Sequence, residues 1–238
     1  MSPLPDPADP IGAATLERLS AAPAYNRWMF DRLRPWVGRR VLEIGAGIGN
    51  MSAFLVDRER VVLSDTEPAY LARLRERFNA RPNVTVVELR LPDPDGRLAA
   101  ERLDTVLCLN VLEHIADDAA SLRTMRALLA PGGRLVLLVP ALRALYGTLD
   151  EALGHDRRYT RRELASKLDD AGFRIARLEY FNLAGVPGWW FTGRVLRRRL
   201  IPAGALRWYD ALVPLFRWET LLPWRIGQSL IAIGEVPA

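Results

Sequence analysis

Cysteine is nearly missing from this 238-residue chain, with Cys108 standing alone. That excludes a disulfide framework and a multi-cysteine zinc site. Histidine is almost as scarce, with only His114 and His155, and the expectation is no metal. Lysine is confined to Lys167; every other basic residue is arginine. No apolar run reaches the roughly 18 residues that a spanning helix needs. The first residues, MSPLPDPADP, put prolines and aspartates where a secretory leader would have basic and then apolar residues. The expected location is therefore cytoplasmic, with contact at the inner membrane face left open. What is present is a half-apolar composition, enough for one substantial core. The length suits one domain with an elaboration. The 33 basic and 28 acidic residues leave a net charge of +5.

Residues 1–12 hold four prolines and read as a flexible tail. The domain proper is expected over 13–238, opening with a helical cap (13–38). Trp28, Met29, Leu33 and Trp36 recur at helical spacing, which predicts one helix from Leu16 to Trp36. Short apolar runs then alternate with helical patterns. Strands are predicted at 41–44, 61–63, 84–89, 105–109, 134–139, 173–180 and 229–236. Helices are predicted at 50–58, 68–79 and 117–129. A further helix opens at Thr160, with Glu163 completing a capping box, and ends near Gly172. Such alternation predicts an α/β fold, a mostly parallel sheet covered by helices on both faces.

The first strand runs into Glu43-Ile44-Gly45-Ala46-Gly47-Ile48-Gly49-Asn50. Glycines let a backbone turn sharply and approach a ligand closely. In open parallel sheets, ligands sit beyond the carboxyl ends of the strands. A dinucleotide fingerprint needs G-x-G-x-x-G, but Asn50 occupies the third position. An acid two residues before the first glycine suits a ligand with positive charge better than a pyrophosphate.

Four segments in register resemble the class I S-adenosylmethionine-dependent methyltransferases: VLEIGAGIGN (41–50), VVLSDTEP (61–68), DTVLCLNVLEHI (104–115) and LLAPGGRLVLLVP (128–140). The segment LGHDRRYT (153–160) also looks like a bacterial subgroup acting on small molecules, some of whose members are found alongside glycosyltransferases. The resemblance implies a Rossmann-like seven-stranded sheet of order 3-2-1-4-5-7-6 with the last strand antiparallel. It also implies S-adenosylmethionine as methyl donor, leaving as S-adenosylhomocysteine. The donor contacts it implies are Tyr25 and Trp28 on the cap, then Glu43, Gly45, Ala46, Gly47 and Asn50 around the turn. Asp65 and Thr66 would meet the ribose, Arg90 and Leu91 the adenine, and the Asn110 carbonyl the ammonium group. Asp65 has the acceptors to take two ribose hydroxyls. The pattern departs from relatives at Arg90, where they commonly carry an aspartate facing the adenine amino group. Arg90 stacking on the purine, Asp93 serving instead, or a backbone bond are the alternatives, and the Leu91 N–H can meet a ring nitrogen.

A sulfonium methyl is already activated, so alignment and desolvation of a nucleophile suffice. A hydroxyl acceptor gains from a general base. His114, at the end of the fourth-strand motif, and His155, in the loop after the fifth strand, are the candidates. Tyr146, Arg157, Arg158 and Tyr159 share that loop and are candidates for acceptor binding, the arginines toward a carboxylate or phosphate. Their plainer reading is a hydrogen-bonded scaffold. Cys108 reads as a small buried strand residue.

One stretch breaks the rhythm, an insert at 183–227. It holds Trp189, Trp190, Trp208, Trp218 and Trp224, and seven arginines against two acids, which equals the whole chain's excess of +5. Three readings stand: a lid over the acceptor, a peripheral membrane surface led by Trp189 and Trp190, or a homodimer face formed by Leu206, Tyr209, Val213 and Phe216. No nucleic-acid recognition motif is visible. The function expected is methyl transfer to a small-molecule acceptor, most simply a hydroxyl. Alternatives are an acceptor carried on a lipid, a non-catalytic donor-binding partner protein, and, less compatible with the turn, a nicotinamide enzyme.

Overall fold

A computed structural model describes residues 7–92, 98–221 and 226–237. Its centre is a seven-stranded sheet of order β3-β2-β1-β4-β5-β7-β6, as the motifs predicted. The strands are β1 (Arg40–Ile44), β2 (Arg60–Asp65), β3 (Val84–Glu88), β4 (Leu103–Leu109), β5 (Leu129–Pro140), β6 (Arg174–Phe181) and β7 (Ser229–Glu235). The β1–β2, β1–β4, β2–β3 and β4–β5 pairs are parallel. β7 runs antiparallel to both its neighbours.

Successive strand residues point to opposite faces, so the apolar runs split between two cores. Leu42, Val106, Leu135, Leu137 and Ala232 face one side with Cys108. Val41, Leu107, Val136, Leu138, Ile231 and Ile233 face the other. The first core is covered by helices α4 (Asp118–Ala127) and α6 (Arg161–Asp170), through Leu122, Met125, Leu164 and Leu168. The second is covered by α2 (Pro23–Leu33) and α3 (Pro68–Phe78), through Trp28, Met29, Leu33, Leu74 and Phe78. Truncating such a fully buried leucine to alanine costs about 2–5 kcal/mol. The capping box is present: Thr160 Oγ1 accepts from the Glu163 N–H at 3.2 Å, starting α6 as predicted.

Three local expectations fail for identifiable reasons. The helix expected over 16–36 is two helices, because Pro23 cannot continue a helix and instead opens α2 at its first turn. The preceding helix, α1, spans Pro10–Ser20 and is capped by Asp9, so it begins inside the expected tail. The helix expected over 50–58 is reduced to a 3-10 turn at Ser52–Phe54. Helix nucleation is costly over so short a stretch, and the Asn83 side-chain amide takes the carbonyls of Val56 and Arg58 that would extend it.

The insert folds as α7 (Gly185–Trp190), a π-helical turn (Phe191–Val195), α8 (Ala203–Phe216) and a 3-10 turn (Arg217–Leu221). Trp224 lies outside the described residues. Tyr209, Val213 and Phe216 pack into the second core, with α8 against α2, so these three members of the expected stripe serve the fold; Leu206 is not among that core. Short helix α5 (Thr148–Leu153) completes the chain between β5 and α6.

Candidate active site at the carboxyl ends of β1, β2 and β4

The turn after β1 is held open by three left-handed glycines, Gly45, Gly47 and Gly49, with φ of 68°, 56° and 83°. A Cβ on Gly45 would lie 2.3 Å from Val111 Cγ2, so only glycine lets this turn close against the end of β4. The Ala46 N–H donates to the Ser64 carbonyl at 2.8 Å, tying the turn to β2. Helix α1 lies across it: Leu16 Cδ1 is 3.0 Å from where a Gly47 Cβ would stand, and Asn50 Nδ2 donates to the Leu16 carbonyl at 3.0 Å. Sequence reasoning put Leu16 at the head of a helix but gave it no place against the turn, because that contact depends on how α1 folds back.

Asp65 ends β2 beside this turn, half-buried. Its Oδ2 accepts from the Gly47 N–H at 2.8 Å, and its Oδ1 accepts from the Thr66 and Glu67 N–H groups at 2.8 and 3.0 Å. A carboxylate has about four lone-pair sites, so only one remains, on Oδ2. Two ribose hydroxyls can be held only after the Gly47 bond opens. Glu43 is buried in β1 and accepts from Ser52 Oγ at 2.6 Å. Burial, opposed by that bond, pushes its carboxyl up to about 7. Asn110 follows β4 in a left-handed conformation (φ 53°) and is exposed, its N–H donating to the Leu138 carbonyl at 2.8 Å. Such a backbone kink at a strand end turns the chain out of the sheet.

Tyr25 and Trp28 lie elsewhere than a donor lid would place them. Trp28 is 1% exposed, with its ring centroid 4.6 Å from Phe181. Tyr25 packs edge-on against Tyr209, and burial pushes its hydroxyl up to about 12. Both thus contact the β6 and α8 side, whereas Leu16 of α1 lies against Gly47. Arg90 is exposed and Leu91 packs into the first core. Asp93 lies outside the described residues.

The two histidines, from the turn after β4 and the loop after α5, come together. Their ring centroids are 4.8 Å apart. His114 is exposed, with Nδ1 3.1 Å from the Gly154 carbonyl. A carbonyl only accepts, so Nδ1 carries the proton and Nε2 keeps a free lone pair. Desolvation of the ring where neighbouring groups pack against it, together with His155, holds the imidazole below its ordinary pKa, which favours the neutral form. His155 is buried, with Nδ1 2.9 Å from Asp150 Oδ1, and the same logic leaves its Nε2 lone pair free. That nitrogen faces Glu113 Oε1 at 3.9 Å.

Glu113 was missed by sequence reasoning, since an acid beside a histidine at a turn reads as solvent-exposed. It is fully buried, and neither carboxyl oxygen has a hydrogen-bond partner among the described residues. Burial pushes it up to about 8. Asp150, at the start of α5, organises the cluster. It accepts from Arg158 Nε at 2.7 Å and from Trp189 Nε1 at 3.1 Å as well as from His155. Burial acts to raise the Asp150 carboxyl, and these bonds outweigh it, holding it below the usual carboxylate range.

The acceptor-binding expectation for the DRRYT segment needs correction. Arg158 is 2% exposed, and its guanidinium is spent on Asp150, the Ala141 carbonyl and the Trp189 ring face. Tyr159 is fully buried and donates to Asp118 Oδ2 at 2.8 Å. Arg157 pairs with the same Asp118 at 3.0 Å, as does Lys167 at 2.7 Å. Buried charges persist only when paired, so these residues form the scaffold that the plainer reading described. Tyr146 also serves it, donating to the His155 carbonyl at 2.8 Å. Trp189 of α7 and Gly193 of the following turn touch α5 and its loop, so the insert does border the histidine side.

The residues present fit the expected donor. An acid at the end of β2, a left-handed glycine turn at the end of β1 and a left-handed Asn110 after β4 lie at neighbouring strand ends of the sheet. A family profile described as "Methyltransferase domain" matches residues 42–135. The chain is 31% identical over 158 residues to a probable S-adenosylmethionine-dependent methyltransferase of Mycolicibacterium smegmatis, covering 63% of this chain and 58% of that one. It is 31% identical over 122 residues to a ubiquinone biosynthesis O-methyltransferase of Aeromonas salmonicida, covering 48% and 49%. It spans about half the length of the curated relatives it matches. Among solved structures, Haemonchus contortus phosphoethanolamine N-methyltransferase 2, in complex with S-adenosyl-L-methionine, is similar in fold. Its TM-score is 0.57 at 18% identity, over 90% of this chain and 52% of that one. Residues 42–135 thus match a methyltransferase domain, and the chain is similar in sequence and in sheet topology to S-adenosylmethionine-dependent methyltransferases.

Proposed function

We propose that the chain moves a methyl group from S-adenosylmethionine to a hydroxyl of a small acceptor by in-line displacement. The observation that carries this reading is the histidine pair, with ring centroids 4.8 Å apart, whose His114 follows β4 four residues after Asn110. Asp65 and the turn from Gly45 to Asn50 would hold the donor, with the Asn110 carbonyl toward its ammonium group. When bound, the donor supplies a methyl group on a cationic sulfur that leaves neutral. The acceptor hydroxyl loses its proton at the cluster of Glu113, His114 and His155. Within that cluster, the Nε2 lone pair of His114 is the accessible one, and its neutral imidazole is ready to accept. His155 is a positioning residue, locked by Asp150. A labelled-methyl screen over extract fractions tests the reading. We expect label in an alkali-stable ether, lost on His114→Ala while donor affinity is kept. Donor binding without any transfer would instead favour a non-catalytic partner protein.

A specific observation favours an acceptor presented at a lipid surface. Trp208, Leu215 and Trp218 are 75%, 65% and 67% exposed, on the outer side of the insert. Arg197, Arg198, Arg199 and Arg207 are exposed around them. Aromatic residues with arginines suit the interface of an anionic bilayer. Among the described residues, no helix is long and apolar enough to cross a membrane.

A further inference from the structure

We propose that Glu113, His114 and His155 bind one divalent first-row transition ion, on the acceptor side of the cleft. Each residue offers one ligand atom, and the three atoms lie within 4.8 Å of one another. Three independent features point to a cation. The first is Glu113, a fully buried carboxyl with both oxygens unpartnered among the described residues. A buried acid without partners is costly unless something else satisfies it. The second is the tautomer argument. Gly154 and Asp150 each take an Nδ1 proton, which leaves the Nε2 lone pair of each ring free. The third is Asp150 itself. A carboxylate accepting from the far nitrogen of a ligating histidine fixes that ring and raises its basicity, the usual outer support of such sites.

The donor set decides the ion class. Two imidazole nitrogens and one carboxylate oxygen suit zinc, manganese or ferrous iron better than magnesium or calcium, which prefer all-oxygen sites. Ligands on a tetrahedral ion with bonds of about 2.1 Å sit roughly 3.4 Å apart. The side chains must therefore close in slightly. His114, exposed and held by a single bond, is the one free to do so. Three protein ligands leave at least one coordination position open.

The role of the ion rests on the methyl-transfer reading above. An acceptor hydroxyl in the open position would ionise more readily, its proton passing to water, with the ion taking the part that His114 Nε2 plays alone. One lone pair cannot hold both a proton and an ion, so the two routes are exclusive.

Calorimetric titration of the untagged, chelator-stripped full chain tests the site, with zinc and manganese as probes and magnesium as the hard-ion control. We expect one equivalent of zinc or manganese to bind and magnesium to bind at least tenfold more weakly. Glu113→Gln and His114→Ala should each weaken binding at least tenfold. Glu113→Gln keeps the shape, and its thermal midpoint without metal shows whether it is folded. No saturable binding by the wild-type chain, or unchanged binding in both variants, would overturn the site. S-adenosylmethionine affinity measured on the same samples separates the two readings: donor binding kept with no ion bound sinks only the ion site.

Discussion

The backbone N–H of Gly47 donates to Asp65 Oδ2 at 2.8 Å, so the turn that would cradle the donor is latched by the acid that would anchor its sugar. Donor binding exchanges this bond for a hydroxyl. Charge-assisted bonds contribute about 1.5–3 kcal/mol. Asp65→Ala should therefore weaken S-adenosylmethionine binding by roughly 10- to 100-fold in calorimetry. Equal affinities would strip Asp65 of this role.

Glu43 yields a pH prediction with a definite sign. Its folded-state pKa of about 7 lies above the ordinary 4.5. The folded chain then holds a proton that the unfolded chain has lost between those values, so stability falls as pH rises from about 4.5 to 7. The full effect is worth up to roughly 3 kcal/mol. Thermal midpoints of the wild-type chain should drop across this window more steeply than those of Glu43→Gln. Parallel curves for the two proteins would refute the assignment.

Arg158 separates scaffold from acceptor pocket. Removing it leaves Asp150 buried with one cation fewer, a loss of about 3–5 kcal/mol. Urea unfolding of Arg158→Ala should show a loss of that size. A variant of unchanged stability but poorer acceptor affinity would return Arg158 to the pocket.

The lipid-surface reading keeps Trp190, which is 49% exposed, gains Trp208 and Trp218, and loses Trp189. Trp189 donates to Asp150 and is turned inward, so its removal should disturb the histidine side. Trp208→Ala combined with Trp218→Ala should reduce flotation with anionic vesicles, and wild-type flotation should weaken with salt. Flotation that survives the double substitution and high salt would exclude this surface.

The sheet was readable because its strands are short apolar runs bounded by turn residues, and the Thr160–Glu163 box marked one helix start directly. Gly45, Gly47 and Asp65 were readable because strand ends and ligand clefts coincide in parallel sheets. Other features depend on contacts remote in sequence. Glu113 and His114 meet His155 only because Gly154, in a left-handed conformation, ends α5 and turns the chain back. Burial of Arg158 and Tyr159 follows from Asp150 and Asp118 as partners, and a run of charged and polar residues gives no sign of that. The split of α1 from α2 was signalled by Pro23, but the apolar spacing on either side masked it.

Phe181 and Ser229 face each other across the β6–β7 ladder. The sheet therefore experiences the whole 183–227 excursion as the loop of one hairpin, clasped at its neck where Glu219 accepts from the Asn182 and Leu183 N–H groups. Closure entropy grows only logarithmically with loop length. The register of β6 and β7 is set at this neck, while the excursion beyond it returns Tyr209, Val213 and Phe216 to the second core.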